Sequence, residues 1–179
     1  MLKRLLREER TKDDMKTKRR IPRMAAAVLA AAILTTSAFA AVAAGLDRRL
    51  LQYFGAEPGQ TPLLSPAAVA VGQERKDKGV TVRLEQALAD RYSAVVLLDL
   101  TAPEGTALDG DYYELGGRLR ATGADGAEMD CFGAGWTLLE DETPGDGRIS
   151  LLLTVQSING AFNFLGSKLF THIEYLVQI

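Results

Sequence analysis

A single cysteine and a single histidine among 179 residues exclude an internal disulfide framework and any Cys/His zinc site. The Gly-x-Ser-x-Gly, His-Glu-x-x-His and phosphate-loop signatures are missing. Six prolines and 17 glycines allow many turns without making a low-complexity chain. The most informative absence is of charge: from Met24 to Gly45, 22 consecutive residues carry no ionisable side chain. What is present, 47% apolar and 25% charged residues, suits a chain that buries a core, and the length fits one domain with an appendage.

The net charge of −2 conceals two opposed regions. Residues 1–23 hold ten basic and four acidic side chains, whereas the other 156 residues hold 11 basic and 19 acidic ones. As a helix, the uncharged run would extend about 33 Å, enough for a hydrocarbon core of about 30 Å. Basic flanks stay on the cytoplasmic side. The expected arrangement is therefore a cytoplasmic N-terminus, a transmembrane helix over 24–45 and an extracytoplasmic remainder. Eleven of the 22 residues are alanine, and Ser37-Ala38-Phe39-Ala40 has the small-x-small form of a signal-cleavage site. The long basic lead and the uncharged stretch beyond Ala40 favour a retained anchor over a signal cut after Ala40. A soluble buried helix with no polar face would need protein on every side, which a chain this short does not supply.

Residues 1–23 read as a basic cytoplasmic segment lying against anionic headgroups, with Leu2, Leu5 and Leu6 as one apolar turn. After the span, Leu46, Leu50, Leu51 and Phe54 form one stripe of a short helix, ended by Gly55 and Pro58-Gly59. Such a stripe either rests on the membrane interface, which suits Tyr53 and Phe54, or packs against the following domain. Residues 56–66 carry three prolines, so 46–66 read as a juxtamembrane helix and Pro-rich linker.

From about Ala67 the periodicity changes to two. Val80, Val82 and Leu84 alternate with Thr81, Arg83 and Glu85, the mark of a strand with one wet face. Tyr92 to Thr101 is an apolar run typical of a central strand, and further strands are expected over 112–121, 128–132, 136–139, 149–156 and 168–177. Asp125-Gly126 and Asp146-Gly147 are two-residue hairpin signals. Short strands without a second helical pattern predict a mainly β fold, an immunoglobulin-like β-sandwich over 67–179. Leu169, Thr171, Ile173, Tyr175 and Val177 alternate almost to Ile179. The last strand then either closes the sheet or belongs to a domain that continues.

The order of features resembles a known family. Lys18-Arg19-Arg20 precedes an Ala-rich span ending in Ala38-Phe39-Ala40, and Leu-Leu-x-Tyr-Phe follows at 50–54. Gly79-Val80-Thr81-Val82, Asp90-Arg91-Tyr92 and Phe164-Leu165-Gly166-Ser167-Lys168-Leu169 complete the pattern. From about Lys16 onward the chain resembles an uncharacterised single-pass membrane domain family of Gram-positive bacteria, described as anti-sigma-factor-like. The resemblance implies a cytoplasmic N-terminus, one span and an extracytoplasmic immunoglobulin-like domain, with no catalytic residues. One departure stands out: 23 residues cannot build the packed helical domain with which anti-sigma proteins hold a sigma factor.

Chemistry is sparse. His172 sits in the last strand beside Glu174 without a partner nucleophile, and reads as an exposed polar residue. Cys131, in Glu-Met-Asp-Cys-Phe, lacks a neighbouring cation and reads as a strand residue. Asp109, Asp111 and Glu114 have a spacing that could ligate Ca²⁺, but the full Asp-x-Asp-x-Asp-Gly loop is missing, so a solvated turn is expected. Glu140-Asp141-Glu142 reads as a solvated acidic loop, and Trp136 as the core anchor of a sandwich. No catalytic, cofactor-binding or metal residue is assigned, and no cofactor. The expected function is non-enzymatic envelope sensing or anti-sigma-like regulation. Its partners would be the membrane and a protein, either a sigma factor or an envelope protein, with no nucleic acid. The alternative is a secreted or surface-anchored sandwich that binds a carbohydrate or peptide at Trp136 or the Asp109/Asp111 loop.

Overall fold

Strands with one apolar face bury it most simply against a second sheet, and the computed structural model shows this arrangement. It describes residues 28–33, 45–57, 60, 68–129, 132–140 and 143–178. The elements are β1 (Val28–Ile33), α1 (Arg48–Phe54), β2 (Ala68–Asp77), β3 (Val80–Ala89), β4 (Ser93–Thr101), β5 (Tyr113–Thr122), β6 (Glu128–Met129), β7 (Phe132–Leu138), β8 (Arg148–Ser157) and β9 (Lys168–Gln178). They form two antiparallel sheets, ordered β1-β9-β5-β6 and β2-β3-β4-β8-β7. The main core lies between them. Val82, Leu98, Leu151 and Leu153 from the five-stranded sheet meet Ala121, Leu169, Ile173 and Leu176 from the other.

The central strands β4 and β8 are buried on both faces, which is why each reads as a nearly unbroken apolar run. Val96, Leu98 and Leu100 point into the main core. Leu97, on the opposite face with Leu88 and Leu152, meets Leu46 and Leu50 in a second, smaller core. The stripe at 46–54 therefore packs against the domain, the second of its two expected placements. Tyr53 and Phe54, about two-fifths exposed, stand edge-on to one another.

Two bulges aim side chains away from the simple alternation. In β3 the register shifts between Leu84 and Gln86, leaving Glu85 as the extra residue. Uninterrupted alternation would send Gln86 into the main core. The bulge sends Gln86 and Leu88 to the outer face instead. In β9, Glu174 is the extra residue opposite Gly116 and Gly117, so Leu176 joins Leu169, Thr171 and Ile173 on the buried face in place of Tyr175.

Turn chemistry also departs from expectation. The two-residue turn is Lys78-Gly79, both at positive φ (48° and 85°), the type I′ pattern that joins paired Asp77 and Val80. Asp125-Gly126 belongs to a longer loop closed by Gly123 N–H to Ala127 O, and Asp146-Gly147 ends the connection from β7 to β8. The expected strand over 128–132 divides into β6 and β7, one in each sheet.

Residues 28–33, inside the expected transmembrane helix, form a strand here, paired with β9 from Val28↔Ile173 to Ile33↔Lys168. A helix without a polar face needs apolar surroundings on all sides, whereas an edge strand needs only a partner for its backbone. The open edge of β9 supplies that partner. No helix among the described residues is long and apolar enough to cross a membrane. Residues 1–23, residues 24–27 and 34–44 of the expected span, and most of the Pro-rich linker lie outside the described residues.

A Cβ added to Gly117 would stand 2.1 Å from the His172 carbonyl oxygen, so backbone must move. Gly133, on edge strand β7, has open space at the same position. Gly117→Ala is expected to cost more than about 2 kcal/mol, and Gly133→Ala to stay within about 0.5 kcal/mol of wild type. Urea unfolding of both variants checks this, and equal losses would contradict the packing described.

Candidate functional site

Seven residues make α1 too short to persist without tertiary support, and the molecule's polar chemistry gathers at that support. Asp47 caps the helix, its carboxylate accepting the Arg49 N–H at 2.9 Å. Gly55 ends it at φ 59°, donating its N–H to Gln52 O. Between the caps, Leu50 is fully buried.

The Arg49 guanidinium crosses from helix to sheet. It grips Asp47 with two donors, Nε to Oδ1 at 3.0 Å and Nη2 to Oδ2 at 2.9 Å. Its Nη1 donates to Asp99 Oδ1 at 2.5 Å and to Ser150 Oγ at 2.7 Å. The Ser150 hydroxyl in turn donates to Asp99 at 2.9 Å. Gln86, buried on the outer face by the β3 bulge, clamps the backbone just before the helix. Its Nε2 donates to Gly45 O at 3.1 Å and its Oε1 accepts the Asp47 N–H at 2.8 Å. Strands β3, β4 and β8 thus each contribute one polar side chain to hold residues 45–49.

The hydrogen bond from Arg49 holds the Asp47 carboxyl below its ordinary range, against the opposing effect of burial. The same bond, with the Asp99 charge behind it, raises Arg49 further and keeps it cationic. Glu85 moves the other way. Burial pushes its carboxyl up and nearby Asp99 adds to this, while Arg83, at 3.0 Å, and Arg49 oppose it.

A polar cleft of about 700 Å³ opens around this cluster, with Arg48, Gln52, Glu140, Asp146 and Arg148 on its walls. Its central donors and acceptors are turned on one another. The arrangement is a latch between chain segments.

No family model, curated protein or solved structure matches the chain. The latch is therefore read from its own geometry.

Of the residues singled out from sequence, Glu140 reaches the polar cleft and the other described ones lie elsewhere. His172 is half-buried in β9, opposite Arg118, and Glu174 pairs with Arg118 at 3.3 Å. Trp136 packs part-buried against the main core. Asp109 and Asp111 line a small cleft of about 260 Å³, where Asp109 accepts from Gln178 at 3.3 Å. Glu114 instead accepts from Tyr175 at 3.2 Å. Among the described residues no three of His, Cys, Asp and Glu gather as metal ligands. Glu140 is exposed at the cleft; Cys131, Asp141 and Glu142 lie outside the described residues. Sequence reasoning passed over Arg49, Asp99, Gln86 and Ser150. The available signal was Asp99, a carboxylate inside an otherwise apolar central strand.

Replacing Arg49 leaves two carboxylates facing each other without their cation. Arg49→Met is expected to destabilise the fold by about 2–3 kcal/mol in urea unfolding, and an unchanged midpoint would show the latch to be idle. The pH dependence has two opposed parts. Asp47, lowered in the fold, contributes stability above its ordinary value of 3.8 and loses it as pH falls through the folded value. Glu85, raised in the fold, contributes below its ordinary 4.5 and loses that contribution as pH rises through its folded value. Glu85→Gln is therefore expected to gain in Tm over wild type progressively from pH 4 to pH 7, as the wild-type carboxylate is forced to ionise. A difference that stays flat or shrinks with pH would contradict this.

Proposed function

We propose that the protein is a non-enzymatic, membrane-anchored molecule with its N-terminus in the cytoplasm and its β-sandwich outside the cell. Its role would be envelope sensing or anti-sigma-like regulation through protein contacts. The observation that carries this is the 22-residue uncharged run between a basic lead and an acidic body. Membrane anchoring requires Val28–Ile33 to leave the edge of β9 and enter lipid as helix. A bilayer favours that exchange, because only a helix satisfies its own backbone there. The latch gives the proposal mechanical content, since residues that follow the span are pinned to the centre of a sheet and motion of the domain reaches the chain at Gly45.

The immunoglobulin-like character of the domain rests on its two facing antiparallel sheets. The order β2-β3-β4-β8-β7 joins three consecutive strands and then crosses over. Regulation of a sigma factor by residues 1–23 would have to use a bare basic segment or a further protein. Trp136, packed against the core, lends little to the alternative of a stacking site for sugars.

Protease added to intact protoplasts is expected to remove a C-terminal tag while sparing an N-terminal one. In lipid, the amides of Lys168–Ile173 that face β1 should also exchange faster than in the lipid-free chain. A protected C-terminal tag would overturn the orientation, and a released domain beginning after Ala40 would favour the secreted alternative.

A further inference from the structure

We infer that the edge of β9, once Val28–Ile33 has left it for the membrane, pairs antiparallel with the β9 edge of a second copy of this chain, centred on Thr171. This rests on the proposed span and goes beyond it by naming what takes the vacated edge. In the structure β1 holds that edge from Lys168 to Ile173. Its departure leaves a strand with one unpaired side at the rim of the sandwich, where Leu169, Thr171 and Ile173 are buried. A bare edge with one apolar face recruits another strand unless something guards it. The remaining edges carry such guards. β2 has Glu74, Arg75, Lys76 and Asp77 in succession and a bulge between Ala70 and Gln73. β5, beyond its two pairs with β6, has Arg118 and Arg120. β7 is itself uncharged, but it lies between Asp130 and Glu140, and full overlap of two antiparallel copies sets those acids opposite one another.

Charge and register commit the occupant to a second copy. With Thr171 opposite its own counterpart, Leu169 falls opposite Ile173, and Phe170 opposite His172. Lys168 falls opposite Glu174, so a cation meets an anion at each end of the pairing and no like charges face each other. Both groups stand on the outer face. Lys168 is exposed, alternating away from buried Leu169, and Glu174 meets Arg118 there at 3.3 Å. β1, by contrast, sets only Ile33 opposite Lys168. The symmetry also suits two anchors. A twofold that relates antiparallel strands stands normal to their sheet. Rotation about it keeps both five-stranded sheets on one side, each with Gly45 held at its outer face by Gln86. Both copies thus present Gly45 at one height, as two anchors in a single bilayer require. One strand pair is a small contact for association from solution. Anchored copies meet at the higher effective concentration of a membrane surface, already facing the same way.

The test uses the full chain, with Cys131→Ser, in nanodiscs holding one copy or two. Lys168→Cys and Glu174→Cys chains, told apart by tags of different mass, are combined in two-copy discs and oxidised. The mixed cross-link is expected in large excess over either variant's cross-link to itself, because each position lies about 20 Å from its own counterpart along the pair. Hydrogen exchange gives a second readout. The β9 amides that exchange faster in a one-copy disc are expected to regain protection in a two-copy disc. Lys168→Glu, which opposes two carboxylates, is expected to reduce that regained protection several-fold, and adding Glu174→Lys to restore it. Indiscriminate cross-linking, or equal exchange with one copy and two, overturns the pairing and leaves the anchor standing if the chain stays on the disc after carbonate washing. Release of the chain by carbonate overturns the anchor and the pairing together.

Discussion

The bridge from Arg49 to Asp47 on one side and to Asp99 and Ser150 on the other is the constraint on which this structure turns. The five-stranded sheet has an outer face that is apolar at Leu88, Leu97 and Leu152, and such a face cannot be left to water. Residues 46–54, α1 and the turn before it, cover it, and buried Leu46 and Leu50 bring backbone with them that must be satisfied. Gln86 and Arg49 do this without filling the seam with unpaired polar atoms. No buried side-chain nitrogen or oxygen among the described residues lacks a partner.

The same economy explains why the cluster is acidic overall. Asp47 is fixed in place by its role as a cap, and Asp99 by its place opposite Ser150 in the β4–β8 ladder. One guanidinium serves both, because its planar fork offers several donors in fixed directions, which a lysine would not. Glu85 is the residue that gains least from this. The bulge that delivers Gln86 to the outer face also sets Glu85 beside Asp99, so its burial is a consequence of aiming its neighbour.

Much of the sandwich was legible in the sequence because period-two alternation and unbroken apolar runs report burial on one face or two. The β4 run, the Val80–Leu84 alternation and the helix at 48–54 all appear where those patterns put them. Features set by a register shift were not legible. Alternation puts Tyr175 on one face with Leu169, Thr171 and Ile173, and only a bulge opposite two glycines, invisible without the pairing, moves it to the other. The latch was hidden for a different reason: its partners lie 50 and 101 residues apart along the chain, and Arg49 on its own looks like any exposed helix cation. Lys78-Gly79 was overlooked because its first residue is a lysine, a type that seldom adopts the positive φ the turn demands. The uncharged run admits helix in lipid and edge strand on β9, and the choice between them depends on surroundings that residue spacing does not encode.

The direction of α1 bears on how the domain would respond to load. α1 runs along the sheet from Gly45, held by Gln86 opposite Leu97, past Asp99 toward the end that bears Asp146 and Arg148, so a pull at Gly45 directed back toward the β3–β4 turn acts along the sheet's long axis. Such tension loads the Gln86 clamp, the Leu46 and Leu50 contacts and the Arg49 bridge together, in shear, and does not peel them one at a time. Contacts that must yield together raise the unfolding barrier, and it is that barrier, more than equilibrium stability, that governs resistance to force. A short helix with its clamp at the N-terminal end is therefore a stiff connection despite its length. A displaced domain would move the preceding segment with it, and the cover over Leu97 and Leu152 would stay in place.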